Sequence, residues 1–334
     1  MKFDLLALSD ATRDTFVYLT EAKVSCRLDT RECKLILSYG EKIPVNDIVK
    51  EVGGNAANVA VGLACFGFRS AILGSIGDDD DGKDIKSILQ KRGVETAFLE
   101  TVKGGRTNHS IILTVQGERT ILTHHPKRRP YRGALPNSKW IYLTSGETEG
   151  LSKTVRDKVL KGASRLAYNP GIREIRRGYS AIKKNLSLTE ALFVNKEEAE
   201  MIARVPRNIG EKHLARLLHK LLNLGPRMVV ITDGIRGAYG VIRGGEAYHV
   251  PIFPAKRIEP TGAGDAFASG FMGAILSKEP LEKALLWGIV NSASVIEKIG
   301  GQVGLLTKNK MLSILKKNPR FKARRFSAYG RKAR

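Results

Sequence analysis

The chain has 334 residues, of which 42% are hydrophobic and 27% charged. That balance excludes a disordered chain, a collagen-like fibre and a coiled coil, and no apolar run approaches the ~18 residues of a membrane span. Lys and Arg total 56 against 33 Asp and Glu, a net charge of +23 that attracts nucleic acid, anionic surfaces or phosphorylated ligands.

The first apolar run, residues 3–8, shows no alternation and reads as a buried strand. The runs at 15–20 and 33–39 have polar interruptions and predict half-exposed hairpin strands. Gly53-Gly54-Asn55-Ala56-Ala57-Asn58 then opens a small-residue helix over 59–66, which Gly67 ends. A buried strand follows at 70–76, then an Asp-rich turn and a helix at 83–92. The runs at 98–102, 110–115 and 119–123 predict a β meander whose clearest turn is Gly117-Glu118. Apolar runs at 140–144, 165–168, 191–194 and 228–232 alternate with helical stretches, notably 196–203 and 211–222. Two long helices, 265–276 and 281–299, close the pattern. Strand alternating with helix means βαβ units and a mostly parallel sheet. The reading is one α/β domain over 1–307 with a small β excursion, followed by a basic tail over 308–334.

That tail holds eleven Lys and Arg and no acid. Its self-repulsion predicts mobility beyond about residue 318, and weak, salt-sensitive polyanion binding through phosphate contacts alone. A second basic cluster is Lys127, Arg128, Arg129 and Arg132. Asp4 and Asp10 do not suit a secretory signal, so a cytoplasmic location without membrane attachment is expected. Cys26, Cys33 and Cys65 make an odd count at a spacing that misses zinc-ligand patterns, so reduced thiols are expected.

The segment richest in chemistry is Glu259-Pro260-Thr261-Gly262-Ala263-Gly264-Asp265, followed by a helix. Gly262 and Gly264 let backbone approach an anion, and the free amides of a helix start suit a phosphate. A carboxylate at that terminus is odd for holding phosphate but suits a general base; a plain N-cap is the structural alternative. Thr232-Asp233-Gly234-Ile235-Arg236-Gly237 follows a buried strand and suits a backbone passing nucleotide phosphates. Asn195 and Glu198 share a face at a helix start, which suits a hydrated Mg²⁺ or, equally, a capping box.

In this order the motifs resemble the ribokinase-like (PfkB) family of carbohydrate and nucleoside kinases. The N-terminal signature is similar to Gly53-Gly54-Asn55-Ala56-Ala57-Asn58 through Gly67 and Gly74 to Asp79, and the C-terminal one to Thr261 through Phe267. The resemblance covers about residues 3–306. It implies a three-layer α/β fold with a small β lid, from about 15–50 and 98–124, that covers the sugar and often builds a homodimer. It further implies transfer of the ATP γ-phosphoryl to a sugar hydroxyl, with nucleosides as the alternative acceptors. Asp265 would be the base, and Gly262, Ala263 and Gly264 the anion hole. Asp14 (or nearby Asp10), Gly53, Gly54, Asn58 and Asn108 would face the acceptor. Thr232, Gly234, Gly237, Arg173 and Asn291 would face ATP, and Asn195 and Glu198 would order Mg²⁺ through water. Arg173 departs from the family pattern around it. Asn55 stands where ribokinase proper has Lys, which disfavours ribose. A phosphorylated acceptor would need a cation such as Arg106, Lys127 or Arg128. Glu259 replaces the family's usual Asp at a position that helps build a monovalent-cation site, which puts potassium activation in doubt. A non-catalytic kinase-like protein that binds nucleic acid through its tail is the alternative from another class.

Overall fold

The computed structural model describes the chain except residues 1, 10, 21, 27–32, 129–132, 146–148, 207–208 and 327–334, and the side chains of 149–152 and 211–212. The strands are β1 Phe3–Leu8, β2 Thr12–Leu19, β3 Lys23–Cys26, β4 Cys33–Ile36, β5 Val45–Gly53, β6 Ser70–Gly77, β7 Leu99–Val102, β8 Asn108–Val115, β9 Glu118–His124, β10 Ser138–Thr144, β11 Arg165–Asn169, β12 Thr189–Asn195, β13 Met228–Thr232, β14 Ala238–Ile242, β15 Ala247–Val250 and β16 Arg324–Phe326. The helices are α1 Asn55–Cys65, α2 Asp80–Lys91, α3 Glu149–Leu160, α4 Ile172–Arg176, α5 Tyr179–Leu186, α6 Lys196–Ala203, α7 Glu211–Leu222, α8 Ala263–Leu276, α9 Leu281–Val295 and α10 Lys308–Lys317.

A ten-stranded sheet runs in the order β16-β15-β14-β13-β12-β11-β10-β1-β6-β7. It is parallel from β7 to β13 and antiparallel from there to β16. Strands buried on both faces need apolar residues at every position, and successive ones serve opposite layers. In β1, Leu5 and Ala7 face the layer of α1, α8 and α9. Leu6 and Leu8 face the layer of α3 to α7. Helix α7 presents Leu214, Leu217, Leu218 and Leu221 at helical spacing to that second layer. Helix α8 is buried along Asp265 to Ala274, which suits a helix sandwiched between the sheet, α1 and α9.

A second, four-stranded sheet runs in the order β5-β2-β8-β9 and is the part of the fold expected as the lid. Its β8–β9 hairpin turns at Gln116 and Gly117, both with positive φ (51° and 78°), as a two-residue turn between right-twisted strands requires. Strand β7, expected in a meander with β8 and β9, pairs instead with β6 in the main sheet, so the lid contribution begins at β8. Strand β2 pairs with β8 and with β5, whose charged sequence gives no alternation; β3 and β4 form a separate hairpin. In that hairpin Cys26 lies directly opposite Cys33, and the two are joined in a disulfide, which corrects the expectation of free thiols. Cys65 is free.

The tail also departs from expectation. Thr307 caps α10, and Met311 of that helix is buried in the core. Phe321 packs on Phe253, and β16 adds to the sheet edge with Phe326 against Tyr239 and His249. Apolar anchors and backbone pairing therefore hold residues 318–326, where charge alone predicted mobility. Residues 327–334 lie outside the described part.

Candidate active site

Open α/β sheets place ligands outside the carboxyl ends of their strands. Here that edge carries Thr144, Asn169, Asn195 and Thr232, paired in register as Thr144 with Asn169 and Asn195 with Thr232. A relay of side chains crosses it. Asn55 Nδ2 donates to Thr144 Oγ1 (3.3 Å) and Ser145 Oγ (3.1 Å). Thr144 Oγ1 donates to Asn169 Oδ1 (3.2 Å), and Asn169 Nδ2 to the Phe193 carbonyl (2.8 Å).

Helix α8 begins at this edge. Gly262, its N-cap, has φ 81°, and a Cβ there would lie 2.4 Å from Gly301 Cα, so both conformation and space demand glycine. The amides of Gly264 and Asp265 sit in the first turn, where a helix has no acceptor of its own. Gly264 is exposed, with no heavy atom within 4 Å of where a Cβ would stand. Ala263 differs from expectation: its N–H donates to the Pro260 carbonyl at 3.2 Å and is already used.

Asp265 is buried, and its Oδ2 accepts from Asn58 Nδ2 at 2.8 Å. Asn58 is held in turn by Gln302 Nε2 (2.9 Å), a partner 244 positions away that no local pattern announces. Burial pushes the Asp265 carboxyl up to about 7; the Asn58 bond pulls it down and the Asp14 charge pushes it up. The two carboxylates therefore share one neighbourhood. Asp14 is also buried, and burial raises it to about 6 against a hydrogen bond from Ser110 and the charge of Arg13. In the lid register Asp14 stands opposite Ser110, and Thr12 opposite both Gly53 and Asn108. A Cβ at Gly53 would fall 1.9 Å from Asp14 Oδ2, so the glycine makes room for the carboxylate. Gly54 is the N-cap of α1. Asn108 is buried, with Arg128 Nη2 at 3.5 Å from its Oδ1 and also bonded to the Arg106 carbonyl. Asp10 lies outside the described residues.

The pair yields a pH prediction. Replacing Asp14 with Asn removes a like charge, so the Asp265 carboxyl should titrate below about 7 in a ¹³C NMR experiment. An unchanged midpoint would show that the two do not interact.

Asn195 and Glu198 form the capping box of α6: Asn195 Oδ1 accepts from the Glu198 amide (2.8 Å) and Glu198 Oε2 from the Asn195 amide (2.9 Å). A cap uses one carboxylate oxygen and leaves the other for a water, so capping and ion binding are compatible. Burial raises the Glu198 carboxyl. Glu198 and Asp265 both act on buried Tyr142, whose hydroxyl burial pushes well up, with each charge adding to the effect. No described group of three His, Cys, Asp or Glu could cage a metal.

Thr232 to Gly237 is a tight turn in which Gly234 and Gly237 have φ 51° and 89°. Asp233 in it accepts from Arg236 Nε and Nη2 (2.6 and 2.8 Å), with Lys196 Nζ at 4.0 Å. Arg173 is exposed in the first turn of α4. Asn291 does not face this edge. It is 0% exposed, donates to the Ala266 carbonyl and Ser269 Oγ, and accepts from the Leu306 amide, so it ties α8 to α9.

The model of the pfkB family carbohydrate kinases matches residues 19–308. The chain belongs to the PfkB family. Similar PfkB-family sequences include the 5-dehydro-2-deoxygluconokinase of Halalkalibacterium halodurans, 27% identical over 75% of this chain and 80% of that one. The ATP-dependent 6-phosphofructokinase of Thermoanaerobacterium thermosaccharolyticum is 25% identical over 80% and 85% of the two chains. The fold is ribokinase-like. The Arabidopsis thaliana ribokinase complexed with ribose and ATP superposes with a TM-score of 0.75 at 20% identity, covering 95% of this chain and 99% of that one. The Methanocaldococcus jannaschii nucleoside kinase gives the same figures. No described helix is long and apolar enough to cross a membrane.

Proposed function

We propose that this PfkB-family protein transfers the γ-phosphoryl group of ATP to a hydroxyl of a small sugar or sugar derivative, with Asp265 as the base. The observation that carries this reading is a buried carboxylate raised to about 7 in the first turn of α8, oriented by Asn58 and facing Asp14. A base poised near neutral pH accepts a hydroxyl proton without being permanently protonated. The oxygen–phosphorus bond to the acceptor forms, the bond from the γ-phosphorus to the bridging oxygen breaks, and the proton goes to Asp265. First-turn amides receive the charge on the transferred group, and Asp14 accepts hydrogen bonds from acceptor hydroxyls. Such transfer is mostly positioning and charge neutralisation. Asn195 and Glu198 would hold Mg²⁺ through water, and the ion would offset phosphate charge. Glu198→Gln should therefore raise the Mg²⁺ concentration needed for half-maximal rate while leaving acceptor KM unchanged; movement of acceptor KM alone would place Glu198 on the sugar side.

Arg128, next to Asn108, supports an acceptor that carries an anionic group, as does the name of the 5-dehydro-2-deoxygluconokinase relatives, which refers to a sugar acid. On the outer face of the lid Ile48, Ile111 and Leu122 are 40–55% exposed, which supports a homodimer through that sheet. ATP consumption across neutral sugars, sugar acids, sugar phosphates and nucleosides tests the acceptor class. Turnover with nucleosides alone would replace the sugar reading.

A further inference from the structure

Glu259 is a carboxylate with 0% exposure, placed just before the turn that opens α8. Its Oε1 accepts from the Thr261 amide (3.0 Å) and hydroxyl (2.7 Å), so it fixes the entry to Gly262. Its Oε2 accepts from Thr114 Oγ1 (3.3 Å). A buried carboxylate needs a counter-charge. The cation beside it comes from the lid: Arg119 Nε lies 4.0 Å from Glu259 Oε1 and makes no hydrogen bond.

The lid is built to deliver that charge. Tyr18, Thr114 and Arg119 form one cross-strand row over β2, β8 and β9, on the face that also bears Asp14 and Ser110. One position earlier, Glu118 Oε1 accepts from Arg257 Nη2 at 2.7 Å. The hairpin tip thus grips residues 257–261 at two successive positions. A monovalent cation, which the family resemblance suggests for this neighbourhood, does not fit here. Both Glu259 oxygens already accept hydrogen bonds, and a resident guanidinium lies 4.0 Å from one of them, so the carboxylate has its counter-charge without an ion.

We infer that Arg119 is a positioning residue that supplies the resident counter-charge of Glu259, couples the lid hairpin to the anion-hole turn, and makes the protein independent of monovalent cations. The catalytic half of this inference rests on the kinase reading; the charge half does not.

The test has two arms at fixed ionic strength, in potassium, sodium or tetramethylammonium chloride. In the first, thermal midpoints of wild type, Arg119→Lys and Arg119→Ala are compared without substrate. The wild type should melt at the same temperature in all three salts. Arg119→Ala should melt lower and recover part of the loss in potassium or guanidinium at low concentration. In the second, phosphoryl transfer is measured. The wild type should ignore the cation, Arg119→Ala should lose about 10²-fold in kcat, the scale of a misplaced reacting group, with ATP KM little changed, and Arg119→Lys should recover part of it. A wild type stabilised or activated several-fold by potassium over tetramethylammonium would overturn the inference. So would Arg119→Ala with wild-type kcat and midpoint. If Arg119→Ala does not fold, the wild-type salt comparison and Arg119→Lys still decide. A wild type inactive with every acceptor would count against the kinase reading, while the thermal arm would still judge the charge.

Discussion

Asp265→Asn should lower turnover by ~10²–10⁴, the range lost with a general base, while ATP still binds. Asn keeps the shape of the side chain and can rotate its amide to meet Asn58, so the start of α8 should survive. The same substitution should stabilise the protein at alkaline pH. The carboxyl has an ordinary value of 3.8 and is raised to about 7 in the fold. Between these limits the folded state holds more protons than the unfolded one, so this group's contribution to stability falls as pH rises. A neutral Asn removes that dependence. Circular dichroism melts at pH 5 and pH 8 should show the variant gaining more on the wild type at the higher pH. Equal turnover, or a loss of structure at both pH values, would remove Asp265 from the proposed role.

The second large effect concerns acceptor binding. Asp14→Ala should weaken it by roughly 1.5–3 kcal/mol, the scale of hydrogen bonds to a charged group. In KM this is about 10- to 150-fold. Gly53→Ala should act in the same direction without touching the carboxylate itself, because the new methyl would occupy the place of Asp14 Oδ2, 1.9 Å away. Asp14 is buried among Ser110, Gly53 and its own strand and has little room to retreat. Steady-state kinetics with acceptor and ATP varied separately distinguish the outcomes. Both variants should raise acceptor KM and leave ATP KM alone. A change confined to ATP KM would place Asp14 on the nucleotide side.

Much of this arrangement is legible in the sequence, for local reasons. The strands β1, β6, β10, β12 and β13 each carry an apolar stretch without alternation because both their faces are covered, and the Gly-rich start of α8 announces itself by composition. The capping pair Asn195 and Glu198 is a three-residue pattern. What escapes is non-local. Strand β5 carries Asn46, Asp47, Lys50 and Glu51 at no regular period, and only pairing with β2 makes it a strand. Strands β14 and β15 are short and flank a Gly-rich turn. The Cys26–Cys33 bond depends on the register of a hairpin. Asn291 resembles a site residue in sequence, yet its three hydrogen bonds tie α9 to α8 and to the Leu306 backbone. The tail shows the limit of charge arithmetic: eleven cations predict repulsion, but Met311, Phe321 and Phe326 find apolar partners that a count of charges does not see.

The kinase reading stands or falls on Asp265 taking the proton from an acceptor hydroxyl as the γ-phosphoryl group of ATP arrives. Following the acceptor itself probes this without intermediaries. ATP labelled in its γ-phosphoryl oxygens is incubated with an acceptor found in the panel, and the product is read by mass spectrometry and ³¹P NMR, with Asp265→Asn in parallel. Labelled phosphate should appear esterified to one hydroxyl of the acceptor with the wild type, and only in traces with the variant at equal ATP occupancy. Label released as inorganic phosphate with the acceptor unchanged, or equal esterification by both proteins, would refute the role of Asp265.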